Sequence, residues 1–240
     1  MSFDIELDDN ACIRRSNGQS SRKHGTGYYK ETQNQESKNI MEDNFWNKRY
    51  AEPEYAYGKE PNEYFKEVID GLKPGKILLP GEGEGRNAVY AATKGWEVTA
   101  IDLSTEGKNK ADKLAKESNV KIKYIVSSFE EYSFIENEYD AIALIFIHLN
   151  PTARESMHRA IIKSLKYDGT LIIEAFSKPQ INNASGGPKN VDDLYSTEEL
   201  ENDFSGFNLR SISVSEQQIQ LAEGPYHTGI ADIVRLTAMK

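Results

Sequence analysis

One cysteine, Cys12, in 240 residues excludes an intramolecular disulfide framework and a cysteine-ligated zinc site. No apolar run approaches the roughly 18 residues that a membrane-spanning helix requires. Basic character is also scarce. The 38 Asp and Glu outnumber the 29 Lys and Arg, and a formal charge of −9 speaks against a nucleic-acid partner, because phosphate binding wants a basic face. The opening MSFDIELDDN is acidic where a signal peptide would be basic and then apolar. These absences predict a cytoplasmic protein with no membrane and no nucleic-acid partner. Internal repeats are lacking too. Residues 1–40, rich in Asn, Ser, Gln, Gly and Lys, show little helical or strand period, so they read as a polar, disordered extension before a folded region over 41–240.

What the chain does have is alternation. PNEYFKEVIDGL (61–72) has helical spacing behind a proline, KILLP (76–80) is a short apolar strand, and GRNAVYAATKG (85–95) is a helix closed by Gly95. WEVTAID (96–102) reads as a strand, and Ser104 caps a helix over 104–119. KIKYIV (121–126), DAIALIFI (140–147) and GTLIIEAF (169–176) are further strands, with helices opened by Pro151 (151–166) and over 196–204. Two period-2 runs, 207–221 and 229–238, are joined by AEGPYHT. Apolar strands alternating with helices predict a mostly parallel sheet covered on both faces, and the short last link predicts an antiparallel pair at one edge. The expected fold is α/β, a Rossmann-like doubly wound sheet.

The stretch ILLPGEGEGRNAVYAATKGWEVTAID (77–102) places three glycines at the end of the first strand. In such sheets the ligand lies beyond the strand ends, near the point where strand order reverses. Gly81 permits the turn, Gly83 allows a ligand close to the main chain, and Gly85 lets the helix start near the strand. Asp102, ending the next strand, stands where an acid takes both hydroxyls of a ribose. The third glycine of the nicotinamide-dinucleotide fingerprint G-x-G-x-x-G would fall at 86, which is Arg86. Glu82 and Glu84 repel a diphosphate and suit an ammonium group. S-adenosylmethionine (SAM), with an amino group, a sulfonium and no phosphate, is therefore the expected cofactor.

Residues 45–240 resemble the class I SAM-dependent methyltransferases, in the tellurite-resistance and thiopurine-methyltransferase branch. The similarity is carried by FWNKRYAEPEYAYGKEPNEYF, by GEGEGRNAVYAATKGWEVTAIDLS and by GPYHTGIADIVRLTAMK. The resemblance implies seven strands with the last antiparallel, and a small acceptor such as a thiol or a selenium or tellurium oxyanion. Two positions depart from the family pattern. Leu79 stands where an acid usually ends the first strand, leaving Glu82 or Glu84 to meet the methionyl ammonium. Ser128 stands where an Asp usually receives the adenine amino group, with Phe129 packing on the ring. The expected cofactor contacts are Trp46, Tyr57, Gly81, Glu82, Gly83, Glu84, Gly85, Asn87, Asp102, Leu103, Ser128, Phe129 and Ile145.

On the acceptor side the candidates are residues near strand ends. His148, in IFIHLNP, is either a catalytic base or a helix-cap histidine. His227 lies in the link before the last strand, where the resemblance implies a polar residue facing the acceptor. Arg235 either holds an anionic acceptor or faces solvent, and His158 reads as structural. No histidine spacing suggests a metal site. Trp46, Tyr50, Tyr55 and Tyr57 could form an aromatic lid beside a sulfonium. The Gly- and Asn-rich loop 180–190 reads as mobile. A non-catalytic SAM-binding protein and an NAD-dependent oxidoreductase are the alternative readings.

Overall fold

The computed structural model describes residues 45–240; the expected extension over 1–40 lies outside them. Helix α1 (45–50) leads into α2 (Glu63–Asp70), β1 (Lys76–Pro80), α3 (Arg86–Thr93), β2 (Glu97–Asp102), α4 (Thr105–Glu117), β3 (Lys123–Val126) and β4 (Tyr139–Ile145). Then come α5 (Pro151–Ser164), β5 (Leu165–Phe176), α6 (Thr197–Phe204), β6 (Ser211–Glu223) and β7 (His227–Met239). The local signals act as chemistry demands. Asn62 caps α2 by accepting from Phe65 N, Ser104 caps α4 by accepting from Gly107 N, and Asn150 caps α5 ahead of Pro151. After α3, Gly95 at φ 90° lets Gly95 N donate to Ala92 O and Trp96 N to Ala91 O, which closes the helix.

The strands form one seven-stranded sheet in the order β3-β2-β1-β4-β5-β7-β6. The first five run parallel, and β7 is antiparallel to both β5 and β6. Strand order reverses between β1 and β4, so their carboxyl ends open the crevice where ligands bind in such sheets. Side-chain alternation sorts the core into two faces. Ile77, Leu79, Ala141, Ala143 and Ile172 pack under α2, α3 and α4, while Leu78, Ile142, Leu144, Leu171 and Ile173 pack against α5 and α6.

Two strand starts and one loop differ from the sequence reading in ways that matter to the site. β5 begins at Leu165, because residues 166–169 bulge between the pairs Tyr139↔Leu165 and Ala141↔Thr170, with Asp168 at φ 69°. β7 begins at His227, so the link after β6 is only Gly224–Pro225–Tyr226, and the histidine read as a loop residue is strand-held opposite Glu223. Loop 180–190 is anchored where mobility was expected. Lys178–Asn182 is a 3₁₀ turn, Ser185 Oγ donates to Ile230 O (2.6 Å) and Asn183 Nδ2 to Asp232 Oδ2 (2.7 Å).

Gly85 sets how closely the start of α3 approaches α4. Its φ is 90°, and a Cβ there would stand 2.5 Å from Ala111 Cβ of α4. Gly85→Ala is expected to lower unfolding free energy by about 2–4 kcal/mol, combining a left-handed backbone penalty with overpacking. Urea melts read this directly, and an unchanged midpoint would show that α3 and α4 can part without loss.

Candidate functional site

The loop after β1 is built on three left-handed glycines, Gly81 (φ 66°), Gly83 (φ 62°) and Gly85. Gly81 N and Glu82 N both donate to Ile101 O, which folds the loop over the end of β2. There Asp102 Oδ2 accepts from Gly83 N (2.9 Å) and Oδ1 from Ser104 N (2.8 Å). The carboxylate is thereby fixed between the loop and the first turn of α4. A Cβ on Gly81 would collide with Ile147, and one on Gly83 would lie 2.6 Å from Tyr50 Oη, so both glycines admit close neighbours. Tyr124 Oη donates to Gly83 O (2.6 Å) from beneath.

The loop glutamates turn inward. Glu82 Oε1 accepts from Ala88 N (2.7 Å), so it occupies donors at the start of α3 that a phosphate would need. Burial pushes its carboxyl up to about 8 against those hydrogen bonds. Glu84 Oε2 accepts from Ala56 N (2.7 Å) and Oε1 from Lys110 Nζ (2.6 Å); burial raises its pKa although Lys110 opposes this. Both residues read as ammonium partners therefore already have protein partners. Leu79 is core, packed with α2 and α3. Asn87 Oδ1 accepts from Asn62 N (2.9 Å), which fastens α2 to α3.

Around the loop, Leu103 is half-buried, and buried Ser128 accepts at Oγ from Glu131 N (3.2 Å). Phe129 lies 3.5 Å from the Cβ position of Gly81, which with Ile147 makes an apolar wall there. Ile145 ends β4 beside the α2–α4 face of the core. Trp46 stacks on Tyr50 at 5.5 Å and so backs the ring that α1 brings to the loop. The cations nearest the loop, Arg86 and Lys110, are each paired with a carboxylate. An acid, a hydroxyl, apolar and aromatic walls and occupied helix donors fit a phosphate-free nucleoside. SAM meets that description and a dinucleotide does not.

The acceptor-side candidates separate. His148 Nδ1 pairs with Asp193 O (2.9 Å) and Nε2 accepts from Phe176 N (3.2 Å), so its neutral ring bridges two backbones. Loss of hydration drives its pKa down to about 4. Arg235 Nε donates to Glu174 Oε2 (2.6 Å), and its guanidinium lies 4.6 Å from the Tyr64 ring. His158 joins Asp203 (2.8 Å) between α5 and α6, as a structural residue would. His227 is buried against the rings of Tyr57 (4.4 Å), Phe146 (4.5 Å) and Phe176 (5.3 Å). Burial lowers its pKa below the ordinary histidine value, against the pull of Glu223. The structure thus brings His227 and Tyr57 together and leaves His148 and Arg235 in bonds of their own.

Residues the sequence reading missed surround His227. Glu223 Oε2 stands 3.4 Å from His227 Nδ1 and accepts from Arg86 Nη2 (2.9 Å), while its Oε1 accepts from Asn62 Nδ2 (3.0 Å). Burial alone would raise Glu223; hydrogen bonds from His227 and Arg86 and the charge of Arg86 hold it at about 2. Arg49 Nη1 donates to Tyr57 Oη (2.9 Å), and its guanidinium lies 4.1 Å from the Tyr226 ring. The hairpin register was the available signal for Glu223, since it and His227 flank a three-residue link. Phe146, at φ 55°, gave none.

The methyltransferase-domain family matches residues 77–169. The ubiquinone biosynthesis O-methyltransferase of Rickettsia akari is 32% identical over 103 residues, 43% of this chain and 41% of that protein. Its Rickettsia conorii counterpart is 28% identical over 114 residues, 48% of this chain and 39% of that protein. The match therefore spans about two-fifths of these relatives. Among solved structures, TehB from Haemophilus influenzae aligns over 82% of this chain and 66% of its own, with 16% identity and a TM-score of 0.59. A SAM-dependent methyltransferase from Methanosarcina mazei covers 72% of this chain and 96% of its own, with 17% identity and a TM-score of 0.55. A protein studied for conversion of a disulfide bond into a thioacetal group during echinomycin biosynthesis reaches a TM-score of 0.66 at 15% identity, over 84% and 90% of the two chains. These likenesses establish the fold.

Glu82 also sets a pH dependence. Its folded pKa, about 8, lies above the unfolded value of 4.5, so its protonated form favours folding below about 4.5 and that contribution is lost as pH rises through 8. Glu82→Gln is expected to flatten the fall in stability between pH 5 and 8, by an amount on the order of a few kcal/mol. Parallel urea melts of both proteins across that range decide it, and identical slopes would refute it. The loop geometry, the strand order and the matched segment converge: residues 77–169 match the methyltransferase-domain family, within a Rossmann-like fold similar to that of the SAM-dependent methyltransferase from Methanosarcina mazei.

Proposed function

We propose that this chain transfers the methyl group of SAM to a small acceptor held between the glycine loop and His227. The observation that carries this reading is the turn after β4. Phe146 adopts φ 55°, a conformation a bulky residue rarely takes, at the point where strand order reverses. Its ring meets His227 at 4.5 Å, and its neighbour Ile147 lies over Gly81. One strained residue thus joins the cofactor loop to the histidine cluster. Strain of this kind concentrates where function requires it.

SAM supplies an electrophilic methyl on sulfur. The protein's own residues position, desolvate and move a proton. Asp102 holds the ribose, Ser128 and Phe129 the adenine, and Leu103, Ile145 and Ile147 close the apolar wall. Tyr50 and Trp46 present ring faces to a cation, worth about 0.5–2 kcal/mol. Tyr57, Phe146 and Phe176 exclude water from the acceptor and hold it at near-attack distance. Neutral His227 accepts the proton of an acceptor hydroxyl or thiol as the bond to carbon forms. The acceptor is a small protic nucleophile, a thiol or a hydroxyl; a selenium or tellurium oxyanion, already deprotonated, would need no proton acceptor. This agrees with the O-methyltransferase relatives and with the sulfur chemistry named for the thioacetal-forming neighbour. Glu174 neutralises Arg235, which disfavours a direct hold on an anion by that residue.

Ligand-induced stabilisation tests the cofactor. At 100 times Kd, SAM or S-adenosylhomocysteine should add about 2.7 kcal/mol and raise Tm by about 5–10 °C, with no response to NAD. Asp102→Ala should abolish the shift, and a response to NAD alone would overturn the proposal. Methyl transfer to a panel of thiols and phenols should fall about 100-fold or more in His227→Gln. The wild-type rate should rise with pH through an apparent pKa below 6.5, because burial depresses the histidine and only its neutral form accepts a proton. A rate that rises instead through an apparent pKa above 6.5 would remove His227 from that role.

A further inference from the structure

Glu223 and His227 are the last paired residues of the β6–β7 hairpin, and the chain between them is three residues long. Their side chains meet on the face where α2 and α3 begin. Arg86 is the first residue of α3, immediately after Gly85, and it is 8% exposed. Its Nη1 donates to Tyr57 O (3.1 Å) and its Nη2 to Glu223 Oε2 (2.9 Å), so one guanidinium grips both the aromatic wall and the hairpin. Asn62 Nδ2 donates to Glu223 Oε1 and also to Glu174 Oε1 (2.6 Å), which completes the enclosure. A carboxylate so held can only accept. The ring nitrogen facing it, Nδ1, is therefore the one that carries hydrogen. The opposite nitrogen, Nε2, has no hydrogen-bond partner among the described residues. It borders Gly186, whose Cβ position lies 3.4 Å from it and 2.9 Å from Cδ2. A side chain at 186 would crowd that edge, and glycine spares it.

We infer that Glu223, clamped by Arg86 and Asn62, is a positioning residue that fixes His227 with hydrogen on Nδ1 and a lone pair on Nε2, and that Arg86 locks this orientation to the cofactor loop. The inference rests on the proposed role of His227 but concerns its tautomer. That tautomer is what a proton acceptor at Nε2 requires: Nδ1–H stays on Glu223 while Nε2 takes the acceptor's proton. The linkage is mechanical. Arg86 follows the last loop glycine, so any shift of the loop moves the group that holds Glu223. The charged and titratable groups facing the ring are Arg49 from α1, Tyr57 from the segment before α2, Arg86 from α3, His148 after β4 and Glu223 from β6.

The full chain labelled with ¹⁵N-histidine tests this through long-range proton–nitrogen spectra. Absence of one imidazole signal in His227→Gln assigns that residue among the four histidines. In the wild type the Nδ1–H form is expected near neutral pH; an Nε2–H form would overturn the inference without any activity measurement. Glu223→Gln should give a mixture of tautomers and move the His227 titration to lower pH, because a carboxylate is lost. Arg86→Met should move it to higher pH, because a cation is lost. A residue of purely structural use would not produce opposite shifts, and unchanged titration and tautomer in both would refute the role. If either single variant fails to fold, the charge-neutral pair Arg86→Met with Glu223→Gln and the conservative Glu223→Asp replace it, the latter expected to retain the Nδ1–H form. With an acceptor in hand, Glu223→Gln should lower kcat at least about tenfold while KM for SAM stays within about twofold. Should no acceptor be methylated by the wild type, the functional proposal fails and the spectra still decide the tautomer.

Discussion

The buried pairing of Arg86 with Glu223 is the constraint around which the site is arranged. An isolated charge at such depth would be expelled by desolvation, and breaking a buried pair by removing one partner costs about 3–5 kcal/mol. The pair survives because its neighbours complete it: Asn62 bridges to Glu174, Glu174 accepts from Arg235, and Tyr57 offers its carbonyl to Arg86. The result is a continuous polar seam from the first turn of α3 through the N-cap of α2 to β5, β6 and β7. That seam ties the edge hairpin to the cofactor loop across the sheet. Low local dielectric strengthens every satisfied bond in it and penalises any vacancy.

The same economy of donors governs the glycine loop. In a dinucleotide fold the first turn of the helix is left open for a phosphate. Here Glu82 fills it from within, and Glu84 spends its charge on Lys110 and on the segment before α2. The loop therefore faces its ligand with backbone, rings and one clamped carboxylate, Asp102. Tyr50 and Ile147 reach the glycines from α1 and from the end of β4, so two distant parts of the sequence share the loop surface. A ligand without phosphate and with a cationic centre suits such a surface.

Much of this was legible in the residues. Strand and helix alternation, the Ser104 cap of α4, the Pro151 start of α5, the loop glycines and the position of Asp102 all follow from local chemistry with short range. The bulge at 166–169 was hidden because its cause, the register of β5 against β4, is a pairing property. The anchored state of loop 180–190 was hidden for a related reason: its polar residues looked solvated until Ser185 and Asn183 found partners on β7. Glu82 and Glu84 were visible as charges, but their direction was not, since a loop side chain can point either way. His148 likewise declared its chemistry and not its partners, which turned out to be two backbone groups.

Local pattern was enough for the kind of fold and for the strand end at which a phosphate-free cofactor is expected. Those depend on periodicity, on backbone freedom at glycine and on the sign of nearby charge, all of which are local. Only the packed chain shows which histidine lies among aromatic rings beyond the strand ends and which carboxylate stands beside it. Asn62, Arg86, Glu174, Glu223 and His227 come from five separate elements or their edges, and their pairing exists only once the sheet has closed. Burial then makes each unmet hydrogen bond too costly to leave open, so the packed chain selects a single arrangement that no local pattern encodes.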